Sequence, residues 1–330
     1  MKSTKQVFLI NIFLSVILFS VLSVLMYKLI INKEFEKIEW GTMIISKTMR
    51  KSDKEKTVEN LILNFYIKNS NDYMSGYFFD YNSESHWEID PYLNAISKEI
   101  MYDSSNRTLL PNELRLSYFS FEEKCNYDLK TVLPYSKIKD VCKEESKIIV
   151  SILPKGRILI LGQNENSDNL ILPLIEFQAK KAKANLDILK IGNASVKNIN
   201  NLADFITLFT EKINWKLRLE LTPNAEIEDK SILSFGDKSI NNAFETSYRS
   251  IPQKIRLRWK NKDCSYISDY YFDPGEILTG FIKLKELADS SPIELFGRYN
   301  DKKKIIEFYL VRDKVSFALK NLYPIELHCL

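Results

Sequence analysis

Apolar positions along this chain fall into two regimes. The first begins at Val7 and ends at Tyr27, with no charge among its 21 residues and with Lys5 and Lys28 outside it. As a helix it spans roughly 31 Å, close to the hydrocarbon thickness of a bilayer. It is longer than the apolar core of a signal peptide. No small-x-small cleavage site follows, and no Cys ends it for lipid attachment. Residues 1–32 therefore predict a short tail and an uncleaved transmembrane signal anchor. Lys2 and Lys5 precede the span and Lys28, Lys33 and Lys37 follow it, so the positive-inside count is nearly tied. The short basic, acid-free tail favours a cytoplasmic N-terminus. In a bacterium the expectation is a single-pass inner-membrane protein with its soluble part in the periplasm.

Beyond the span the pattern has a period of two. Leu114, Leu116 and Tyr118 alternate with Glu113, Arg115 and Ser117, and Ile255, Leu257 and Trp259 alternate with Lys254, Arg256 and Arg258. Such alternation marks half-buried strands. Residues 125–132 and 264–272 read as the second strands of hairpins. The spacing of Leu278, Phe281, Ile282 and Leu287 predicts a helix over 276–288. Strand pairs are expected at 147–153 with 157–161 and at 293–299 with 304–311, turning at Pro154-Lys155-Gly156 and Asn300-Asp301-Lys302. Residues 172–189 read as helix-like, and a helix is expected near 91–100.

These elements recur. Glu36-Lys37-Ile38-Glu39-Trp40 returns as Glu211-Lys212-Ile213-Asn214-Trp215. Leu110-Pro111, with its alternating strand to Tyr118, returns as Ile251-Pro252 with its strand to Trp259, and Cys125-Asn126-Tyr127 returns as Cys264-Ser265-Tyr266. A Pro then opens a helix in each half, at Pro134 and Pro274. An ordered series of matches predicts an α+β chain of two tandem related domains, each a mostly antiparallel sheet with one or two packed helices. The expected divisions are 33–192 for the first repeat, 193–210 for a linker and helix, and 211–330 for the second. Trp40 to Pro111 spans 71 positions and Trp215 to Pro252 spans 37. The first copy is thus expected to hold an insertion, with extra strands at 61–67 and 77–81.

Both copies, over roughly 36–165 and 211–320, resemble a family of uncharacterised bacterial envelope lipoproteins, domain of unknown function 2931. The features that carry this are the Leu-Pro, the alternating strand, the aromatic, the short polar loop with its Tyr, the Pro-led helix and the strand pair near Gly156. The resemblance implies an envelope location. Because members of such families are often encoded beside secreted antibacterial toxins, it also implies an immunity role. Two departures stand out: the family is usually single-domain, and its lipid-attachment Cys is absent here. It supplies no catalytic residues.

Composition narrows the chemistry. Lys plus Arg is 47 against 43 for Asp plus Glu, a net +4. That is too balanced for a nucleic-acid binder working through a basic surface, so no nucleic-acid partner is expected. With His at only 2, the commonest general base and metal ligand is nearly missing. No elbow for a nucleophilic Ser, no calcium-loop ladder and no phosphate loop occurs, so no cofactor or metal is expected. Ser136 and Lys139 fit Ser-x-x-Lys without a companion motif. Glu122-Glu123 and Glu144-Glu145 read as solvated loops, since adjacent acids diverge in a strand. Four Cys in an exported chain permit either two disulfides or four free thiols. The simplest pairing is Cys125 with Cys142 and Cys264 with Cys329.

The reading that follows is a membrane-anchored protein-binding protein and not an enzyme, in its most concrete form neutralising a cognate toxin. Tyr77, Phe78, Phe79, Tyr81 and Trp87 are its candidate partner-binding surface, unless they belong to the core. An envelope assembly factor is the alternative, and an envelope hydrolase stands behind it.

Overall fold

The computed structural model describes residues 4–31, 36–46, 60–72, 76–80, 99–102, 107–142, 146–164, 171–184, 190–191, 194–195, 199, 201–223, 225–236, 240, 242–261, 264–287, 290–320 and 322–329. It is an α+β protein, mostly sheet with few helices. Helix α1 (Thr4–Met26) runs on through a π turn (Tyr27–Ile31). Between Gln6 and Ile30 its most apolar 18-residue stretch has a mean hydropathy of 2.7, none of that stretch is buried against the rest of the chain, and the helix is long and apolar enough to cross a membrane. Ser20 turns its hydroxyl back to the Val16 carbonyl at 2.8 Å, which hides a polar group on an apolar helix.

Among the described residues, and apart from the short ladders of Lys37–Ile38 with Thr108–Leu109 and Lys190–Ile191 with Ala194–Ser195, ten strands of the first half make two five-stranded sheets. In chain order they are β1 (Trp40–Ser46), β2 (Asn60–Lys68), β3 (Gly76–Asp80), β4 (Glu99–Tyr102), β5 (Glu113–Ser120), β6 (Cys125–Val132), β7 (Ser146–Leu153), β8 (Arg157–Asn164), β9 (Ile171–Gln178) and β10 (Lys180–Ala182). Sheet one has the order β4-β1-β7-β8-β9 and sheet two the order β3-β2-β5-β6-β10. Helix α2 (Tyr135–Val141) follows β6.

The second half repeats this plan. Its strands are β11 (Lys212–Glu220), β12 (Glu226–Ser234), β13 (Ser247–Ser250), β14 (Pro252–Asn261), β15 (Cys264–Phe272), β16 (Ile293–Asn300), β17 (Ile305–Arg312), β18 (Val315–Leu319) and β19 (Leu322–Cys329). Helix α3 (Leu202–Thr210) precedes them, and α4 (Pro274–Lys285) stands between β15 and β16. Sheet three is β13-β11-β16-β17-β18 and sheet four is β12-β14-β15-β19. Strand for strand, this is the order of sheets one and two without β3. In both halves the strand that begins with or contains the Trp pairs in parallel, β1 with β7 and β11 with β16, while the other ladders of the four large sheets are antiparallel.

The residues that recur in sequence hold equivalent places. Trp40 faces Ser146 and Trp215 faces Ile293 at the start of the two parallel ladders. Tyr118 stacks on Tyr127 at 5.3 Å, and Trp259 stacks on Tyr266 at 4.2 Å. Each pair sits directly across a hairpin, where cross-strand aromatics stabilise a register.

In the second half the sheets meet through Tyr270 and Phe272 on Phe308, and through Trp259 on Tyr299. Asp273 caps α4 by accepting from the Glu276 amide at 2.8 Å, and Pro274 takes the first turn, where its missing N–H costs nothing. The helix lies on sheet three with Phe281 against Trp215. A Cβ at Gly280 would come within 2.7 Å of Leu310 and 2.8 Å of Phe317, so glycine sets this close approach.

Three sequence expectations need correction. Residues 172–178 are strand β9, not helix. A bulge opposite Ile160 and Leu161 lets Ile175 and Pro173 take consecutive register positions. The alternation therefore changes phase at Leu174 and mimics helical spacing. Of the helix expected near 91–100, residues 99 and 100 belong to β4 and 91–98 lie outside the described residues. Strand β2 is no insertion, because β12 occupies the equivalent place in sheet four. Strand β12 escaped notice because most of it is polar and exposed, Glu226-Ile-Glu-Asp-Lys. The helix expected within 193–210 is present as α3, and it does more than connect. Asn201 caps α3 by accepting from the Asp204 amide at 2.8 Å, and Phe205, Leu208 and Phe209 are fully buried. Phe119 and Phe121 of the first half pack on Phe205, while Phe209 touches Phe121 and Phe235 of the second. Helix α3 is thus an aromatic wedge joining the two halves.

Candidate functional site

Strand β3 was expected to present its aromatics to a partner, and its period of two divides them. Phe79 is in the core, 3% exposed. Tyr77, half-buried on the same side, meets Trp40 edge-on at 5.2 Å and donates its hydroxyl to the Trp40 carbonyl at 2.9 Å. Both are packing residues, so Phe79 drops out as a contact residue. Phe78 points the other way and is 57% exposed. Tyr81 and Trp87 lie outside the described residues, as does His86.

Outward-facing residues of three adjacent strands gather around Phe78. Tyr66 on β2, its register partner, meets it edge-on at 6.3 Å. Lys68 lies 4.8 Å and Arg115, on β5, lies 5.6 Å from the centre of the Tyr66 ring. Val132, near the end of β6, is 72% exposed. An aromatic pair flanked by Arg and Lys on a rigid sheet face can bury a partner's apolar side chain, stack on it and pair with its carboxylates.

Glu123, expected in a solvated loop, clamps two turns together: one carboxylate oxygen accepts from the Lys155 amide at 2.7 Å and the other from the Tyr127 hydroxyl. Burial, with Glu123 behind it, holds the Tyr127 and Tyr118 phenols above their ordinary range. Ser136 and Lys139 lie on the seven-residue α2. No group of three metal-ligating side chains occurs among the described residues.

Cys125 and Cys142 are buried free thiols, which removes the expected bond between them. The reason is reach. Strand β6 alone carries the chain roughly 23 Å from Cys125, against the roughly 7 Å between Cα atoms that a disulfide can span. Burial pushes the Cys142 thiol up to about 12. Cys264 and Cys329 lie on adjacent strands, with Cys329 opposite Tyr266, two residues along from Cys264. Their side chains lie outside the described set.

Sequence reading missed one charged cluster. Lys254 and Arg256 look like solvated strand positions, yet Lys254 is 3% exposed and pairs with Asp269 at 2.9 Å. Arg256, the register partner of Asp269, makes a two-pronged bond to it, both contacts at 2.7 Å. Burial alone would raise the Asp269 carboxyl, but the hydrogen bonds from Arg256 and Lys254 prevail and hold it below its ordinary value. The signal was the opposite charges on β14 and β15, legible only once the hairpin register is known.

Compared with protein-family models, with curated proteins and with solved structures, the chain matches none.

Proposed function

We propose that this chain is a membrane-anchored binding protein that works by protein–protein contact outside the cytoplasm. The observation that carries the reading is the outward patch of Phe78, Tyr66, Lys68 and Arg115 on sheet two. Its side chains are of the kinds that dominate interface energies, and the sheet beneath fixes them before binding. Helix α1 is the anchor, with the N-terminus cytoplasmic and the sheets in the periplasm of a bacterium. The matching order of the two sheet pairs, and the places held by the recurring motifs, support a tandem duplication. In that case β3, which has no counterpart among the described residues of the second half, is the first copy's own addition, and it brings Phe78.

The most concrete form of this function is immunity, in which the patch occludes a toxin delivered into the periplasm. It rests on the family resemblance. The test is co-purification of the full chain with the product of the neighbouring gene, followed by binding of Phe78→Asp and Arg115→Glu. Retention of the partner by the native chain, with loss of more than about tenfold in each variant, is the expected result. A neighbouring product that is not toxic removes the immunity form, and unchanged binding by both variants removes the patch.

A further inference from the structure

A cleft of about 520 Å³ lies beside the wedge helix, away from the Phe78 patch, in the size range of small-ligand sites. Its apolar lining comes from Cys125, Ala182, Ala184 and Leu202. Two alanines leave the space that larger side chains would fill. Its polar lining is three lysines, Lys124, Lys181 and Lys183, with no carboxylate among the described residues that line it. All three are exposed. Glu123, the nearest acid in sequence to Lys124, is committed to Tyr127 and the Lys155 amide.

Lysines on a sheet edge often serve only to block edge-to-edge pairing. Lys181, on the short strand β10, fits that account. Lys124 does not: it sits in the turn between β5 and β6, with a φ of 53°, and still lines the same cleft. Like charges gathered around an apolar hollow repel one another unless an anion joins them, and a concave wall focuses their field. Beside the cleft, outside its lining, is an unmet polar group. Asn126, the register partner of Ala182, is 8% exposed and its Oδ1 has no hydrogen-bond partner.

We propose that this cleft binds a single-chain anionic amphiphile. Its acyl chain would lie over Ala182, Ala184 and Leu202, and its carboxylate or phosphate would rest among Lys124, Lys181 and Lys183. The apolar floor accounts for the chain and the three cations for the head, which distinguishes this ligand from a neutral lipid and from a bare anion.

The test uses the full chain in zwitterionic phosphatidylcholine nanodiscs with a diazirine analogue of palmitate, mapping the cross-links by peptide mass spectrometry. Labelling is expected on peptides containing 124–125, 181–184 or 202, and unlabelled palmitate should compete it away. A parallel arm with lysophosphatidic acid as competitor separates a carboxylate from a phosphate head: competition by either supports the site, and the stronger competitor names its head group. Lys181→Glu with Lys183→Glu should lower cleft labelling about tenfold and leave labelling of α1 unchanged as the internal standard. The milder Lys181→Gln with Lys183→Gln, at an unchanged melting temperature, should lower it in the same sense. Absence of cleft labelling, equal labelling by a neutral diazirine alcohol, or labelling indifferent to the lysine changes would each overturn the proposal.

Discussion

The indole N–H of Trp215 donates to the carbonyl of Ser250 at 3.2 Å. In the first half Trp40 donates to the Leu109 carbonyl at 3.1 Å. Ser250 and Leu109 each stand two residues before the proline of the recurring motif, at Pro252 and Pro111. One contact has thus been made twice, each time between the parallel strand and the run that leads into the hairpin. Both indoles are almost wholly buried, so each needs this acceptor. Trp215→Phe and Trp40→Phe should each cost about 1–3 kcal/mol, read as a lower midpoint in urea unfolding. A change in only one of the two would show that the equivalence is geometric without being energetic.

Phe205 and Phe209 are the links between the halves, so Phe205→Ala should do more than lower stability. A loss of about 3–5 kcal/mol is expected. The native chain should unfold in one transition and the variant in two, followed by tryptophan fluorescence, because Trp40 is buried in the first half and Trp215 and Trp259 in the second. One cooperative transition in the variant would mean that other contacts couple the halves.

Strand β3 offers a test of parity. Phe79→Ser empties a core position and should cost about 3–5 kcal/mol. Phe78→Ser removes an exposed ring and should stay within about 0.5 kcal/mol of the native chain in the same denaturation experiment. A large loss from Phe78→Ser would place that side chain in the core and end its candidacy as a contact residue.

Asp269 gives the stability a pH dependence of defined sign. Its carboxyl is held lower in the folded chain than in the unfolded one. Its contribution is therefore complete above the unfolded value of about 3.9 and is lost as pH falls through the lower folded value. Unfolding midpoints measured from pH 7 downwards should fall below about pH 4. Asp269→Asn should flatten the part of that fall due to this group and cost about 3–5 kcal/mol at neutral pH, since it takes the carboxylate from buried Lys254.

Cys142 should resist alkylation while the chain is folded. With its thiol pushed up to about 12, the thiolate fraction at pH 8 is roughly a thousandfold below that of an ordinary cysteine. Iodoacetamide labelling before and after denaturation, read by peptide mass, should place no label on Cys142 until the chain unfolds.

Much of the local structure is written in the residue pattern. The alternation from Glu113 to Tyr118 and from Lys254 to Trp259, the turns at Lys155 and after Asn300, and the Pro-led helix of the second half all follow from periods and turn chemistry acting within a few residues. The recurrence of Trp40 in Trp215 and of Tyr118 in Trp259 already pointed to paired halves. The sequence did not reveal β12, whose polar residues pair at a sheet edge and carry no apolar signature, or β9, whose bulge disguised its alternation. It placed a helix within 193–210 but gave no hint that this helix packs against both halves.

The apolar span, the period of the strands and the order of the repeats were determined by the sequence alone, because each is a property of near neighbours. Which face of β3 is outward, which thiols fail to meet, which lysine loses its water to Asp269, and how three lysines come to surround one cleft were decided only by the tertiary structure. Those outcomes depend on register and on the packing of segments far apart in the chain, where a shift of one residue exchanges core for surface.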